Sequence, residues 1–148
     1  MSITFRANKR PLSASGSFTF PRSERLKSKK ILERTFAEGE KLKAWPLVVR
    51  RLKTELPEEV PCQVMVSVSK RLFKRAVDRN RIKRLLRENW RLQKKSLVDS
   101  WAADETQNAV VFIYMGKEMP TFEIIEKAMG VAIEKMTKSN TASPTENS

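Results

Sequence analysis

From Cys62 to Lys95 the chain reads Cys62-Gln63-Val64-Met65-Val66-Ser67-Val68-Ser69, then a basic connection from Lys70 to Ala76. It continues Val77-Asp78-Arg79-Asn80-Arg81-Ile82-Lys83-Arg84-Leu85-Leu86-Arg87-Glu88-Asn89-Trp90-Arg91-Leu92-Gln93-Lys94-Lys95. The hydrophobic period changes inside this stretch. Val64, Val66 and Val68 alternate with Gln63, Met65, Ser67 and Ser69, the period-2 pattern of a strand with one buried face. Beyond Ala76 the period becomes helical, at roughly 100° per residue. Taking Ile82 as zero, Ile82, Leu85, Leu86, Trp90, Leu92 and Leu97 fall within an arc of roughly 160°. Asn80, Lys83, Arg84, Arg87, Arg91, Lys94 and Lys95 fall on the opposite arc. One face is expected to cover a core while the other carries a dense positive field.

That field is out of balance. Twelve Lys or Arg residues stand between Lys70 and Lys95 against two acids, Asp78 and Glu88. A merely solvated helix face interleaves both signs, so a polyanion is the expected partner. The whole chain agrees: 148 residues carry 30 Lys+Arg against 17 Asp+Glu, a formal charge of +13 and a pI near 10.2. A nucleic acid is favoured over an anionic membrane surface, because the apolar helix face is needed to cover the sheet. No apolar run approaches the roughly 20 residues of a membrane span. Met1 to Arg10 lacks the apolar region of a secretory signal. Cys62 is the one cysteine and histidine is absent. Ser-His and Cys-His nucleophiles, histidine-bound zinc and cysteine metal clusters are thereby excluded. The expected compartment is the cytoplasm.

The organisation is one compact body, residues 23–136, between a flexible basic extension, 1–22, and a disordered polar tail, 137–148. Phe18 and Phe20 are aromatic anchors by which the extension could dock. In the body, Ser28 caps a short helix with Ile31, Leu32, Thr35 and Phe36 on one stripe and Gly39 as its stop. Trp45 to Leu52 reads as a strand, and Leu56 to Pro61 as a loop. Cys62 to Ser69 and then the long basic helix follow. Ala109 to Met115, continuously apolar, suits a buried central strand. Thr121 caps a closing helix with the stripe Phe122, Ile125, Met129, Ala132, Ile133 and Met136. The order α-β-β-α-β-α predicts an α+β fold, a small mixed sheet covered by helices, with room for one more short strand.

Ser67-Val68-Ser69-Lys70 followed by Ala76-Val77-Asp78-Arg79-Asn80-Arg81-Ile82-Lys83-Arg84-Leu85-Leu86-Arg87-Glu88 resembles the signature of the protein subunit of bacterial ribonuclease P. Arg25-Leu26 and the pattern up to Phe36 and Gly39 sit where that family places its first helix, and the resemblance covers roughly residues 20–136. Leu32 stands where many members have Phe, and Trp90 where Phe or Tyr is usual. The resemblance implies a ribosomal-protein-like two-layer sandwich with a left-handed βαβ crossover, against the ordinary handedness preference. It also implies a division of labour. A catalytic RNA using Mg²⁺ removes the 5′ leader of precursor tRNA, while the protein binds that RNA and the leader and holds no cofactor of its own. The scattered acids agree, since phosphodiester hydrolysis by protein groups needs carboxylates or a base at the scissile bond. Glu58-Glu59 reads as a solubilising loop pair, and no catalytic residue is expected.

On that resemblance Arg79, Arg81, Lys83, Arg84, Arg87 and Arg91 would contact phosphates of the catalytic RNA, which the bidentate guanidinium suits. Asn80 stands between two roles, helix N-cap and RNA contact. Phe36 would stack a leader base in a cleft between first helix and sheet, or else be a core aromatic. Ser69, Lys70, Arg71 and Arg75 would track the leader backbone. Trp45, Trp90 and Trp101 read as packing residues. Two rivals share the charge: a ribosomal or other structural RNA-binding protein, and a DNA-binding regulator. The second would need two helices joined by a short turn, and the strand before the basic helix argues against it. No DNA or membrane partner is expected.

Overall fold

The computed structural model describes residues 21–141. Residues 1–20 of the expected extension, with Phe18 and Phe20, and residues 142–148 of the expected tail lie outside that range. A 3₁₀ turn at Arg22–Glu24 comes first. It is followed by α1 (Lys29–Glu38), β1 (Glu40–Ala44), β2 (Leu47–Lys53), β3 (Cys62–Val68), α2 (Ala76–Gln93), α3 (Lys95–Ala103), β4 (Asn108–Tyr114) and α4 (Phe122–Thr141). The strands stand in the order β1-β2-β4-β3. The first two pairings are antiparallel and β3 runs parallel to β4. Parallel neighbours need a long crossover, which α2 and α3 supply. The fold is α+β, as the sequence predicts.

Local signals account for most boundaries. Ser28 Oγ accepts from the Ile31 amide at 3.2 Å and opens α1; Thr121 Oγ1 accepts from the Ile124 amide at 3.2 Å and opens α4. Gly39 ends α1, as expected, without a left-handed conformation. Its φ is −70°, and a Cβ there would collide with the Thr35 carbonyl. The extra short strand is β1, paired with β2 through the two-residue turn Trp45-Pro46, whose peptide bond is cis.

The sheet has two unequal faces. One carries Leu47, Val49, Cys62, Val64, Val66, Val68, Val110 and Phe112, and packs against α2, α3 and α4. The alternation expected of β3 is thus realised, and β4 is buried along most of its length. The Trp90 ring lies 5.5 Å from that of Phe112. The other face has a smaller cluster, Leu26, Ala109 and Val111, beneath Ile31 and Leu32 of α1.

Five expectations need correction. Trp45 lies in the β1–β2 turn and is 73% exposed, so it is no packing residue, whereas Trp90 and Trp101 are fully buried. The long helix is two helices that meet at Lys94. Within α2 Leu92 falls outside the buried side and is 42% exposed, while Lys94 at the junction is buried. Its ammonium donates to Glu24 Oε1 at 2.6 Å, because a buried cation needs a paired anion. Residues 137–141 continue α4 rather than begin a tail. Beside the Lys94–Glu24 pair, burial and then the Glu24 carboxylate push the Cys62 thiol far above the ordinary range, with Lys94 opposing.

Trp90→Ala should destabilise the fold by about 3–5 kcal/mol through the cavity it leaves. Leu92→Ala should stay within about 0.5 kcal/mol. Urea unfolding of both variants checks the rotation of α2; equal costs would refute it.

Candidate nucleic-acid interface

The loop that leads into α2 is built before the helix begins. Ser69 Oγ accepts from the Arg71 and Leu72 amides at 3.1 and 3.4 Å, and the Phe73 amide donates to the Ser69 carbonyl at 3.0 Å. Phe73 is buried, its ring 6.0 Å from that of Tyr114, and anchors the loop. Arg79 then reaches back, and its Nη1 donates to the carbonyls of Phe73 and Lys74, both at 2.9 Å. The guanidinium is therefore a clamp that holds the loop on the helix. Arg75 is the N-cap residue without a side-chain cap, and its Nε lies 3.5 Å from Asp78 Oδ2. Asn80 sits within the second turn of α2 and is exposed, so the N-cap alternative is excluded.

Burial of Ile82, Leu86 and Trp90 sets which side chains look outward. Asn80, Arg81, Arg84 and Arg87 are exposed, and Lys83 and Arg91 half-buried. Asn80, Arg84, Arg87 and Arg91 follow one another at intervals of three or four along roughly 16 Å of helix. Burial first and the neighbouring Arg25 guanidinium second push the Arg87 pKa below the ordinary arginine value. Arg91 is hydrogen-bonded by Glu88 three residues earlier, which raises its pKa. Lys70, Arg71, Lys74 and Arg75 extend the positive surface along the loop, all exposed.

A second feature lies on the thinner face of the sheet. Helix α1 crosses β2 and β4. On one flank Arg34 donates to Thr54 Oγ1 at 3.1 Å, just past the C-terminal end of β2. Phe36 lies roughly 160° around the helix from Arg34, on the opposite flank. In the sheet, Val48, Ile113 and Ser67 form one row across β2, β4 and β3. All three are half-buried. Phe36 is 39% exposed and belongs to neither core cluster, which excludes the reading as a core aromatic. Its carbonyl accepts from Arg50 Nη2 at 2.6 Å. From Ser67 the chain leads directly into the loop of Ser69, Lys70, Arg71 and Arg75.

Sequence reasoning names the helix face, the loop and Phe36. It missed Val48, Ile113 and Arg50, because β2 and β4 show no clean alternation, and it missed Arg25 beside Arg87. Among the described residues no group of three or more Cys, Asp or Glu side chains comes together, and no helix is long and apolar enough to cross a membrane.

The ribonuclease P family model matches residues 20–137. The chain is 36% identical over 119 residues to the ribonuclease P protein component of Porphyromonas gingivalis strain ATCC 33277, covering 80% of this chain and 86% of that one. It is 35% identical over 113 residues to the component of Chlorobaculum tepidum, covering 72% and 73%. Among solved structures it superposes on the Staphylococcus aureus RNase P protein with a TM-score of 0.61 at 24% identity, covering 79% of this chain and 97% of that one. The Thermotoga maritima RNase P protein gives 0.58 at 23%, covering 75% and 96%. At such identities the two structures speak for the fold alone.

Phe36→Ala should lower stability by less than about 1 kcal/mol, since a half-exposed ring leaves no closed cavity. Arg79→Ala should cost about 1–3 kcal/mol and speed amide exchange in residues 70–75, because two carbonyls lose a charged donor. Thermal melts with hydrogen exchange check both. A loss of about 3–5 kcal/mol for Phe36→Ala would place the ring in the core.

Proposed function

The chain belongs to the bacterial ribonuclease P protein family, and on that premise we propose how its two surfaces divide the work of the ribonucleoprotein. It is the protein subunit of a tRNA-processing endoribonuclease and associates with the ribonuclease P RNA. The outward face of α2 grips phosphates of that RNA through Arg81, Lys83, Arg84, Arg87 and Arg91, with Asn80 donating and accepting among them. Arg79 contributes chiefly by holding the loop. The cleft receives the single-stranded 5′ leader of precursor tRNA. Phe36 offers a face for a base, worth about 1–3 kcal/mol if one stacks. Lys70, Arg71 and Arg75 follow the leader backbone. Ser69 sets the loop's turn at the mouth of the cleft.

The observation that carries this reading is that the polar side of α2 carries six Lys or Arg against two acids, Asp78 and Glu88, and faces outward. The same helix buries Ile82, Leu86 and Trp90. Catalysis belongs to the RNA and to the Mg²⁺ it binds, and the protein acts in the cytoplasm as a positioning subunit. A ribosomal RNA-binding role is not favoured, since the relatives matched over most of the chain are named ribonuclease P protein components.

The test separates the surfaces. Arg81→Ala with Arg84→Ala should weaken binding to the catalytic RNA and reduce the salt slope by about 0.7–0.9 for each phosphate no longer neutralised. Folding should be unaffected. Phe36→Ala should assemble normally yet lose part of the preference for precursor over mature tRNA. RNA-free protein with magnesium should leave precursor tRNA intact. An affinity flat between low and physiological salt would sink the phosphate-binding reading.

A further inference from the structure

The 3₁₀ turn and the residues after it are docked against the edge of the sheet by two long-range connections. The first is the ion pair between Lys94 and Glu24, whose side chains are 3% and 13% exposed. Lys94 stands where α2 hands over to α3, so the pair ties that junction to the turn. The second is a strand-like contact. Arg25 bridges Val64 in parallel fashion, and the Leu26 amide donates to the Val64 carbonyl at 2.9 Å. Gln63 adds a bond from its Nε2 to the Ser23 carbonyl at 2.8 Å. The segment therefore lies along the outer edge of β3.

Its side chains are placed by alternation. Leu26 is buried on the face covered by α1. In extended backbone the preceding residue points to the opposite face, which is the side of α2. On the helical wheel Arg87 and Lys94 lie within roughly 20° of each other, so the flank of α2 that Lys94 directs at Glu24 also carries Arg87. Arg25 is brought beside Arg87, in line with the lowering of the Arg87 pKa by burial and then by Arg25. Next to them an open cleft of about 370 Å³ is lined by Arg22, Arg25 and Lys27, with Glu58 also on its wall. A polyanion running past both the cleft and the arginine face would interact favourably with the cations of each. A buried ion pair, for its part, is a weak source of stability against apolar packing and is best attested as a device that sets register.

We propose that Arg22, Arg25 and Lys27 form a second rank of phosphate-binding groups alongside α2, with Glu24 and Lys94 as the residues that position it. The ligand is the sugar–phosphate backbone of the same structured RNA. The proposal rests on the assignment of the α2 face to that RNA, and extends it to a two-sided grip on either side of the β3 edge. Glu24 and Lys94 touch no RNA; they act through the arginines.

The experiment measures affinity of the full chain for the catalytic RNA across a salt series, with amide exchange of Leu26 as a readout of docking. Arg84→Ala is the reference for the α2 face. Arg22→Ala with Arg25→Ala should reduce the log–log salt slope by about 1.4–1.8, the share of two phosphates. Glu24→Gln and Lys94→Met should speed Leu26 exchange and reduce the slope similarly. Added to the double arginine variant, either should reduce it no further. A wild-type slope in the arginine variant, with a reduced slope in Arg84→Ala, overturns the second rank and leaves the α2 assignment standing. A wild-type slope in both overturns the α2 assignment and the proposal with it. Wild-type slopes in both Glu24→Gln and Lys94→Met, with the arginine variant reduced, overturn the positioning role.

Discussion

Trp90 pressed against Phe112 is the contact on which the rest depends, because it sets the rotation of α2 about its own axis. Ile82 and Leu86 lie on the same line and are fully buried with it. Three large side chains in one seam leave the helix no other low-energy rotation, since turning it would expose them and bury arginines. Burying an unpaired guanidinium is far costlier than exposing an alkyl group. The orientation of the positive face is thus a consequence of core packing. The charges reinforce that rotation, since any other would carry guanidinium groups into the core.

A second constraint acts at Lys94, where α2 hands over to α3, whose Leu97, Val98 and Trp101 are buried. Lys94 is buried with them. Lysine tolerates this because its stem is apolar and its ammonium meets Glu24 at 2.6 Å. A carboxylate from the 3₁₀ turn is thereby drawn in, and that turn is attached to the helix junction.

The two faces of the sheet divide structure from access. Three helices cover one face, and a helix of ten residues covers part of the other. That helix is roughly 15 Å long. The Val48–Ile113–Ser67 row on that face is half-buried, and from Ser67 β3 runs on towards the basic loop. Phe36 keeps its ring partly in water and joins neither core cluster.

Much of this was legible in the residues. The alternation of Val64, Val66 and Val68, the seam of Ile82, Leu86 and Trp90, and the caps at Ser28 and Thr121 are local signals, since each reports contacts within a few residues or with a single neighbouring layer. The family resemblance rested on the same stretch. Only the tertiary structure decided that Trp45 is a turn residue and that Lys94 and Leu92 exchange places between core and surface. It alone made Arg79 a clamp on the preceding loop, removed Asn80 from the cap position and kept Phe36 out of the core. The burial of Lys94 rests on a partner distant in the chain; Glu24 and Lys94 are 70 residues apart. Helical and strand periods encode which side of an element is apolar, but not where that element must stop or bend to close the core. That is settled by the shape of the other elements, and no local pattern carries it.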